Sequence, residues 1–141
     1  MSRTGPEVEK DVFDIIAASS LKNKVNGVVC MEDERPKDSE LEDIVVKFVS
    51  GIPGVIETGS VAVLIYVKDI DLYGDGTLRQ NKPRLKTLSQ EAASWVKDIS
   101  KRSIETGYKF RLLFSINTQE APDIHQHYLS IRLHYKAVEK D

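Results

Sequence analysis

Two histidines near the end of the chain have a spacing that can hold zinc. His125 and His127 are two residues apart, and on a strand both side chains would point to the same face. A zinc site needs at least one further ligand. His134 would lie on the opposite face of that strand, and Cys30 has no defined relation to the pair. The pattern therefore favours two partly exposed histidines over a metal centre.

The segment 69–76 contains some of the oxygen ligands of a calcium loop. Asp occurs at 69, 71 and 75, and Gly at 74 and 76. An EF-hand loop needs oxygen ligands at its first, third, fifth and twelfth positions, but here the fifth is Tyr73 and the twelfth is Gln80. A strand, rather than a helix, leads into it. The segment is therefore interpreted as a turn that uses Gly and Asp for their backbone conformations.

The nucleophile candidates lack an activating neighbour. Cys30, the single cysteine, lies in an apolar run with no His, Lys or helix N-terminus beside it, which favours a buried core residue. The hydroxyl candidates have neither a glycine-elbow context nor a base; they are Ser19, Ser20 and Ser39.

Phosphate binding and acid–base chemistry find no support either. Residues 51–54 (Gly-Ile-Pro-Gly) lack the Gly-Lys-Ser/Thr ending of a phosphate loop, so they predict a turn. Three neighbouring carboxylates favour a solvated cluster over an acid–base pair: Glu40, Glu42 and Asp43. The sequence thus predicts no catalytic, cofactor-binding or metal-binding residue and no enzymatic activity.

Composition predicts one soluble domain over residues 1–141. Hydrophobic residues make up 40% of the chain and charged residues 30%. The net charge is −2, with Lys and Arg interleaved among Asp and Glu, which argues against direct binding of nucleic acid. We expect no membrane span and no signal peptide, because the apolar runs are short. A single cysteine favours a reducing compartment, so we expect the protein in the cytosol.

The first half of the chain predicts a helix followed by strands. Thr4 and Glu7 form a capping-box pattern before a helical apolar stripe that fades near residues 19–21. Residues 25–32 indicate a short strand, and residues 33–39 an exposed loop. Residues 39–50 fit a helix, with Ser39 and Glu42 as a second capping box, but their β-branched density favours a strand.

The clearest strand covers residues 60–71 and runs into a polar, glycine-rich loop ending at Pro83. Both of its faces are apolar, which predicts a central strand covered on both sides, by helices on one side and by a neighbouring surface, such as another subunit, on the other. A second amphipathic helix follows, with Leu85, Trp95 and Ile99 on its apolar side. Gly107 is the expected left-handed stop of that helix.

Two alternating strands close the chain. They cover residues 108–116 and 129–135, and residues 117–123 have the length of a hairpin connection. The predicted fold is α+β, with two helices packed on one face of a mostly antiparallel sheet of about five strands. The element order is α-β-β-β-α-β-β.

The chain resembles the small neck and tail-completion proteins of tailed phages and prophages. Its element order is also similar to their tail-terminator fold, and the likeness spans roughly residues 5–136. It is carried by Arg35-Pro36, Ser39, Glu42-Asp43 with the strand after it, residues 61–70, and the helix with Trp95.

This resemblance implies a structural role. Such proteins form a ring, commonly hexameric, at the head-proximal end of the tail, where they stop growth of the tail tube and dock the capsid connector. The implied partners are copies of the chain itself and other tail or connector proteins. The implied location is the host cytoplasm and then the virion tail. The two-sided apolar strand, apolar groups such as Tyr66 and Tyr73, and loops 33–42 and 70–83 suit such a protomer.

Two alternatives remain open. One is a small bacterial ligand-binding module with a pocket under loop 70–83, framed by Tyr66, Tyr73 and Trp95. The other is a metal-dependent enzyme centred on His125 and His127.

Overall fold

The architecture is that of a computed structural model, which describes residues 3–138. The three helices are α1 (Gly5–Ala17), α2 (Lys82–Ile99) and the short α3 (Ser103–Thr106). The six strands are β1 (Val29–Met31), β2 (Ile44–Ile52), β3 (Thr58–Lys68), β4 (Tyr108–Leu112), β5 (Asn117–Ala121) and β6 (Gln126–Ala137). Single 3₁₀ turns lie at Leu21–Lys24 and Pro122–Ile124. The α+β fold class is therefore confirmed, with one short helix and one strand more than predicted.

One sheet contains all six strands, in the order β1-β2-β3-β6-β4, with β5 paired to β6 as well. Only β1 and β2 run parallel among the described pairs. The pairing of β3 with β6 runs without a break from Thr58↔Lys136 to Lys68↔Gln126. The prediction of a central strand in this part of the chain is confirmed, because β3 lies between β2 and β6. The strand begins at Thr58 and ends at Lys68, so residues 69–71 of the predicted range lie beyond it.

The two faces of the sheet differ in what covers them. The face toward the helices carries Ile44, Val63, Ile131 and their neighbours, which pack with α1 and α2 into one buried cluster. We call the other side the open face. At its centre Val45 and Ala62 are buried, while Leu64 is only half-buried. The prediction of a strand apolar on both faces thus agrees with β3.

The helix starts follow local sequence. Thr4 caps α1 through the predicted capping box: its hydroxyl accepts from the Glu7 N–H, and the Glu7 carboxylate accepts from the Thr4 N–H. Asn81 caps α2 through its side-chain oxygen. The strand favoured for residues 39–50 is confirmed over Ile44–Ile52, so the capping box of Ser39 and Glu42, which belonged to the helical alternative, does not form.

Gly107 does not end the long helix, so that prediction was wrong. Helix α2 ends at Ile99, and Gly107 follows α3 in a left-handed conformation with φ of 84°. The stop signal was read correctly as a glycine cap, but it belongs to a separate turn of helix that exposes Ile104.

The predicted single strand over residues 108–116 is interrupted. Strand β4 pairs as far as Leu112↔Leu133, and β5 resumes at Asn117↔Ser130 on the same edge of β6. Five steps along one strand therefore face three along the other, which leaves a bulge that exposes Phe114. The segment predicted as the hairpin connection, residues 117–123, is mostly strand β5, and the actual turn is the 3₁₀ turn at Pro122–Ile124.

The single domain predicted over residues 1–141 includes residues 1, 2 and 139–141, which lie outside the described part of the chain. Among the helices of residues 3–138, none has both the length and the apolar character that a membrane crossing requires.

The core predicts a clear difference between two positions of α2. Leu88 is fully buried, whereas Gln90 on the same helix is exposed. We expect Leu88→Ala to lower the free energy of unfolding by about 2–5 kcal/mol, because it removes buried methyl groups and leaves a cavity. Gln90→Ala is the matched control and should change it by less than about 0.5 kcal/mol. Urea unfolding followed by circular dichroism measures both, and equal effects would contradict this packing.

Candidate functional site

Two adjacent carboxylates at the start of β2 form the most densely bonded polar cluster among the described residues. Asp43 has no exposed surface and Glu42 has very little. The prediction that Glu40, Glu42 and Asp43 form a solvated cluster was therefore wrong for two of the three; Glu40 alone is exposed. A buried carboxylate must be paired and hydrogen-bonded, and both of these are.

Asp43 binds the segment that precedes it. Arg35 Nε donates to Asp43 Oδ2 at 2.8 Å, and the Ser39 hydroxyl donates to the same oxygen. The Val28 N–H donates to Oδ1 at 2.9 Å. The Arg35 guanidinium also lies over the ring of Tyr66 at 4.0 Å and donates to Gln126 Oε1. Asp43 thus anchors residues 32–41 over one corner of the open face.

Glu42 binds in the opposite direction, toward α2. Arg84 donates to both of its carboxylate oxygens, from Nε at 2.6 Å and from Nη2 at 2.7 Å, in the two-pronged geometry typical of strong pairs. Arg84 also donates to the Lys24 carbonyl. Asn26 and Glu42 exchange hydrogen bonds between side chain and backbone. The start of α2 is thereby fixed to β2 and to the loop before β1.

Only glycine fits at position 27, beside this cluster. A Cβ atom at this position would lie 2.5 Å from the Glu42 carbonyl oxygen and would also overlap the Asp43 carboxylate. The loop before β1 can approach β2 this closely only because Gly27 has no side chain.

The electrostatics of Asp43 favour its charged form. Burial alone would raise the pKa of this carboxyl, but hydrogen bonds from Ser39, Val28 and Arg35 and the Arg35 charge outweigh burial and hold the pKa below its ordinary value. The Asp43 carboxyl is therefore ionised at neutral pH, where it pairs with Arg35.

The glycine-rich loop after β3 is a small self-contained hairpin. Ile70 and Arg79 exchange both backbone hydrogen bonds at 2.8 Å. The two oxygens of Asp71 accept from the N–H groups of Asp75 and Gly76 at 3.0 Å each. Gly74 adopts a positive φ of 71°. The turn interpretation agrees with this geometry, since the carboxylate expected of a calcium ligand is bonded to the backbone.

The two histidines do not share a face. His125 ends the 3₁₀ turn in a left-handed conformation with φ of 55°, before β6 begins. His127 lies on β6, where its Nδ1 is 2.6 Å from Asp69 Oδ1. The expectation that both point one way was wrong because only one of them is on the strand. Within residues 3–138 no group of three or more His, Cys, Asp or Glu is arranged to hold a metal ion.

Cys30 lies on β1, buried against Val45 across the ladder. Burial and the nearby Asp43 charge raise the pKa of its thiol to about 11. Of the candidate hydroxyls, Ser19 donates to the Ile16 carbonyl and Ser39 to Asp43. These groups hold structure in place and form no catalytic pair with one another.

The three aromatic residues proposed to frame a pocket lie apart. Tyr66 is on the open face beneath Arg35 and beside Tyr128, with ring centroids 5.2 Å apart. Tyr73 is 71% exposed, at 5.0 Å from the Arg79 guanidinium. Trp95 is buried on α2. A surface cavity of about 390 Å³ does lie beside the loop, lined by Ile70, Leu78, Ile124 and others, but none of the three aromatic residues lines it.

Charges on the sheet are sorted by face. The register of the strands puts every strand Lys and Arg on the open face: these are Lys47, Lys68, Lys109, Arg111, Arg132 and Lys136. The one strand carboxylate, Glu120, pairs with His127 on the helix side. Burial and the neighbouring Arg111 lower the pKa of His134, which lies on the open face. The alternation of residues within each strand indicates this sorting of charge, but it is not apparent along the whole chain, where Lys and Arg are interleaved with Asp and Glu.

An apolar tip projects beside the basic end of the open face. Strands β2 and β3 are joined by residues 53–57, in which Val55 is 98% exposed. Ile52 and Ile56 are also exposed. Lys109 and Lys136, paired across β4 and β6, lie at this same end because Lys136 is opposite Thr58, the first residue of β3. The sequence predicted a turn near residues 51–54 but gave no sign that the apolar side chains of Ile52, Val55 and Ile56 would be exposed.

Comparison with known proteins adds no family to these observations. No protein-family model matches the chain, and a search of curated proteins found no match.

The Asp43 cluster predicts a specific loss of stability. We expect Asp43→Asn to lower the free energy of unfolding at pH 7 by roughly 3 kcal/mol, because it leaves the Arg35 charge without its buried partner. The exposed Asp38 in the same segment supplies the control, Asp38→Asn. Urea unfolding at several pH values measures both.

The pH dependence follows from the lowered pKa of Asp43. A carboxyl whose folded pKa is depressed contributes stability above its ordinary value of about 3.9 and loses it as pH falls through the folded value. The difference between wild type and Asp43→Asn should therefore be full at pH 7 and shrink below about pH 4. A difference that stays constant down to the lowest pH would contradict this assignment.

The thiol of Cys30 should be unreactive in the folded protein. With burial and a pKa of about 11, it is almost entirely protonated at pH 8. We expect iodoacetamide to label Cys30 at pH 8 only after unfolding in urea, as followed by mass spectrometry. Rapid labelling of the folded chain would show an accessible thiolate instead.

Proposed function

We propose that this chain is a non-enzymatic structural protein of a phage or prophage tail. In this role it is a tail-completion or head–tail joining protein and a subunit of a terminator-like ring. The observation that carries the proposal is a surface of the sheet and of the β2–β3 connection that remains exposed in the single chain. The molecule combines an open sheet face, basic in all its charged strand residues, with an apolar tip in which Val55 is almost wholly exposed. Exposed apolar groups beside a charged face are typical of surfaces that contact other proteins.

The resemblance to tail-completion proteins also supports this role. The residues that carry it include Arg35, Ser39 and Asp43, which bind one another, and Tyr66, which lies under the Arg35 guanidinium. Such a cluster holds a fold and has no reactive group held ready for a substrate. The proposed partners are further copies of this chain and other tail or connector proteins, and the proposed location is the host cytoplasm and then the virion tail.

The ligand-binding alternative keeps one specific observation in its favour. The cavity of about 390 Å³ beside loop 70–83 combines three apolar side chains, Ile70, Leu78 and Ile124, with polar ones that include Asp69 and His125. A small bacterial binding module could use it in the monomer, without any partner subunit.

Molecular mass in solution separates the two roles. A ring subunit should show species larger than 15.9 kDa whose fraction grows with concentration, because ring contacts follow mass action. Sedimentation or light scattering at increasing concentration measures this. A strict monomer at every concentration would favour the binding module.

The phage assignment itself is tested in the gene's own setting. A tail-tube or capsid gene beside it would support the assignment. Disruption of the gene should then give tails of uncontrolled length and heads without tails, as seen by electron microscopy of the lysate. Normal particles after disruption would contradict the assignment.

A further inference from the structure

The helix side of the molecule contains a recess that is complementary in charge to the basic end of the open face. A surface cavity of about 630 Å³ lies between the C-terminal parts of α1 and α2. Buried or half-buried apolar side chains line it: Ile15, Leu21, Trp95 and Ile99. We call this cavity the recess.

The rim of the recess is acidic. Four carboxylates lie on it, Asp14, Glu91, Asp98 and Glu105, against the single guanidinium of Arg102. Arg102 pairs with Asp98 and Glu105, and Lys10 pairs with Asp14 from outside the lining. The last turns of α1 and α2 add the negative ends of two helix dipoles. The Trp95 indole, which lines the recess, has no hydrogen-bond partner for its Nε1–H within the described structure.

The opposite combination occurs at the far end of β3, and we call it the knob. It consists of the apolar tip, residues 52–56, and the basic side chains of Lys109, Arg111 and Lys136 beside it. Within residues 3–138, two carboxylates on this side of the molecule have partners: Glu57 is bonded to Arg3, and Glu32 lies 3.7 Å from Lys47. The knob therefore presents an apolar projection with positive flanks. The recess presents apolar side chains at its base and a polar rim that contains more carboxylates than cations.

We propose that the knob of one molecule docks into the recess of a second copy of this chain. Knob and recess are different surfaces of the same molecule, so the contact is head to tail, and repetition gives a closed ring or an open filament. The inference rests on the proposed function for its choice of partner, the neighbouring ring subunit. It adds to that function the two surfaces that subunits use and the direction in which they meet.

A pair of variants tests the direction of this contact. Val55→Asp with Lys109→Glu disables the knob and leaves the recess intact; both positions are exposed. Glu91→Lys with Asp98→Lys disables the recess and leaves the knob intact. A control, Lys37→Glu with Glu40→Lys, swaps exposed charges on the segment 32–43 instead. Circular dichroism and urea unfolding first establish that each variant folds like wild type.

We expect wild type and the control to associate at low salt, and to dissociate as salt is raised because charge pairs contribute. Each disabled variant alone should associate at least about tenfold more weakly, since like charges then meet across the contact. Mixed together, the two variants should form a 1:1 pair of twice 15.9 kDa and nothing larger, because one intact knob meets one intact recess. Analytical ultracentrifugation measures all of these.

Three results would overturn the inference: a wild type that remains monomeric, disabled variants that associate as wild type does, or a mixture that stays monomeric. Binding of the monomeric wild type, but not of the knob variant, to a single-stranded oligonucleotide or to anionic vesicles would assign the knob to a polyanion instead. A different experiment tests the proposed function. If gene disruption leaves tails normal while the mixed variants pair, self-association is supported and the phage role is contradicted. If disruption alters the tails while the mixed variants stay monomeric, only this contact is contradicted.

Discussion

The fold depends on two adjacent carboxylates that immediately precede β2 and bind in opposite directions. Asp43 holds Arg35, and through Arg35 it reaches Tyr66 on β3 and Gln126 on β6. Glu42 holds Arg84 on α2 and the loop at Asn26. Strand β2 has the three-residue β1 on one side, too short a ladder to fix an edge by itself. The ion pairs add the missing stabilisation, since they connect the residues just before β2 to the sheet through Arg35 and to helix α2 through Arg84.

Several residues that carry the resemblance meet in this arrangement: Arg35, Ser39, Asp43 and Tyr66. A charged pair, a serine and a tyrosine in close register along a chain are also the ingredients of an active site. Here both carboxylate oxygens of Asp43 accept hydrogen bonds, from the Val28 N–H and from the Arg35 and Ser39 side chains. The lowered pKa also keeps the carboxyl ionised near neutral pH, so it has no proton to supply there.

Much of this could be predicted from the sequence because the signal was local. The capping box at Thr4 and the alternation along β3 and β6 depend on neighbours a few residues away, and these predictions were confirmed. Strand β5 was missed because its side chains are polar and mostly exposed. Its sequence therefore shows no alternation of apolar and polar residues. Burial of Glu42 could not be read either, because its partner Arg84 is 42 positions away. The bulge between β4 and β5 could not be predicted either, because the register of these strands is set by their partner β6 and not by their own sequence.

The sorting of charge between the faces has an electrical consequence that net charge conceals. Six of the twenty Lys and Arg residues lie on the strands, and all six are on the open face, whereas the carboxylate of Glu120 on β5 is on the helix side. The strands therefore carry their positive charge on one face of the sheet, although the net charge of the chain is −2. A field of one sign over one face attracts anionic surfaces to that face and orients them as they approach. Net charge alone therefore does not describe how this chain meets a charged surface.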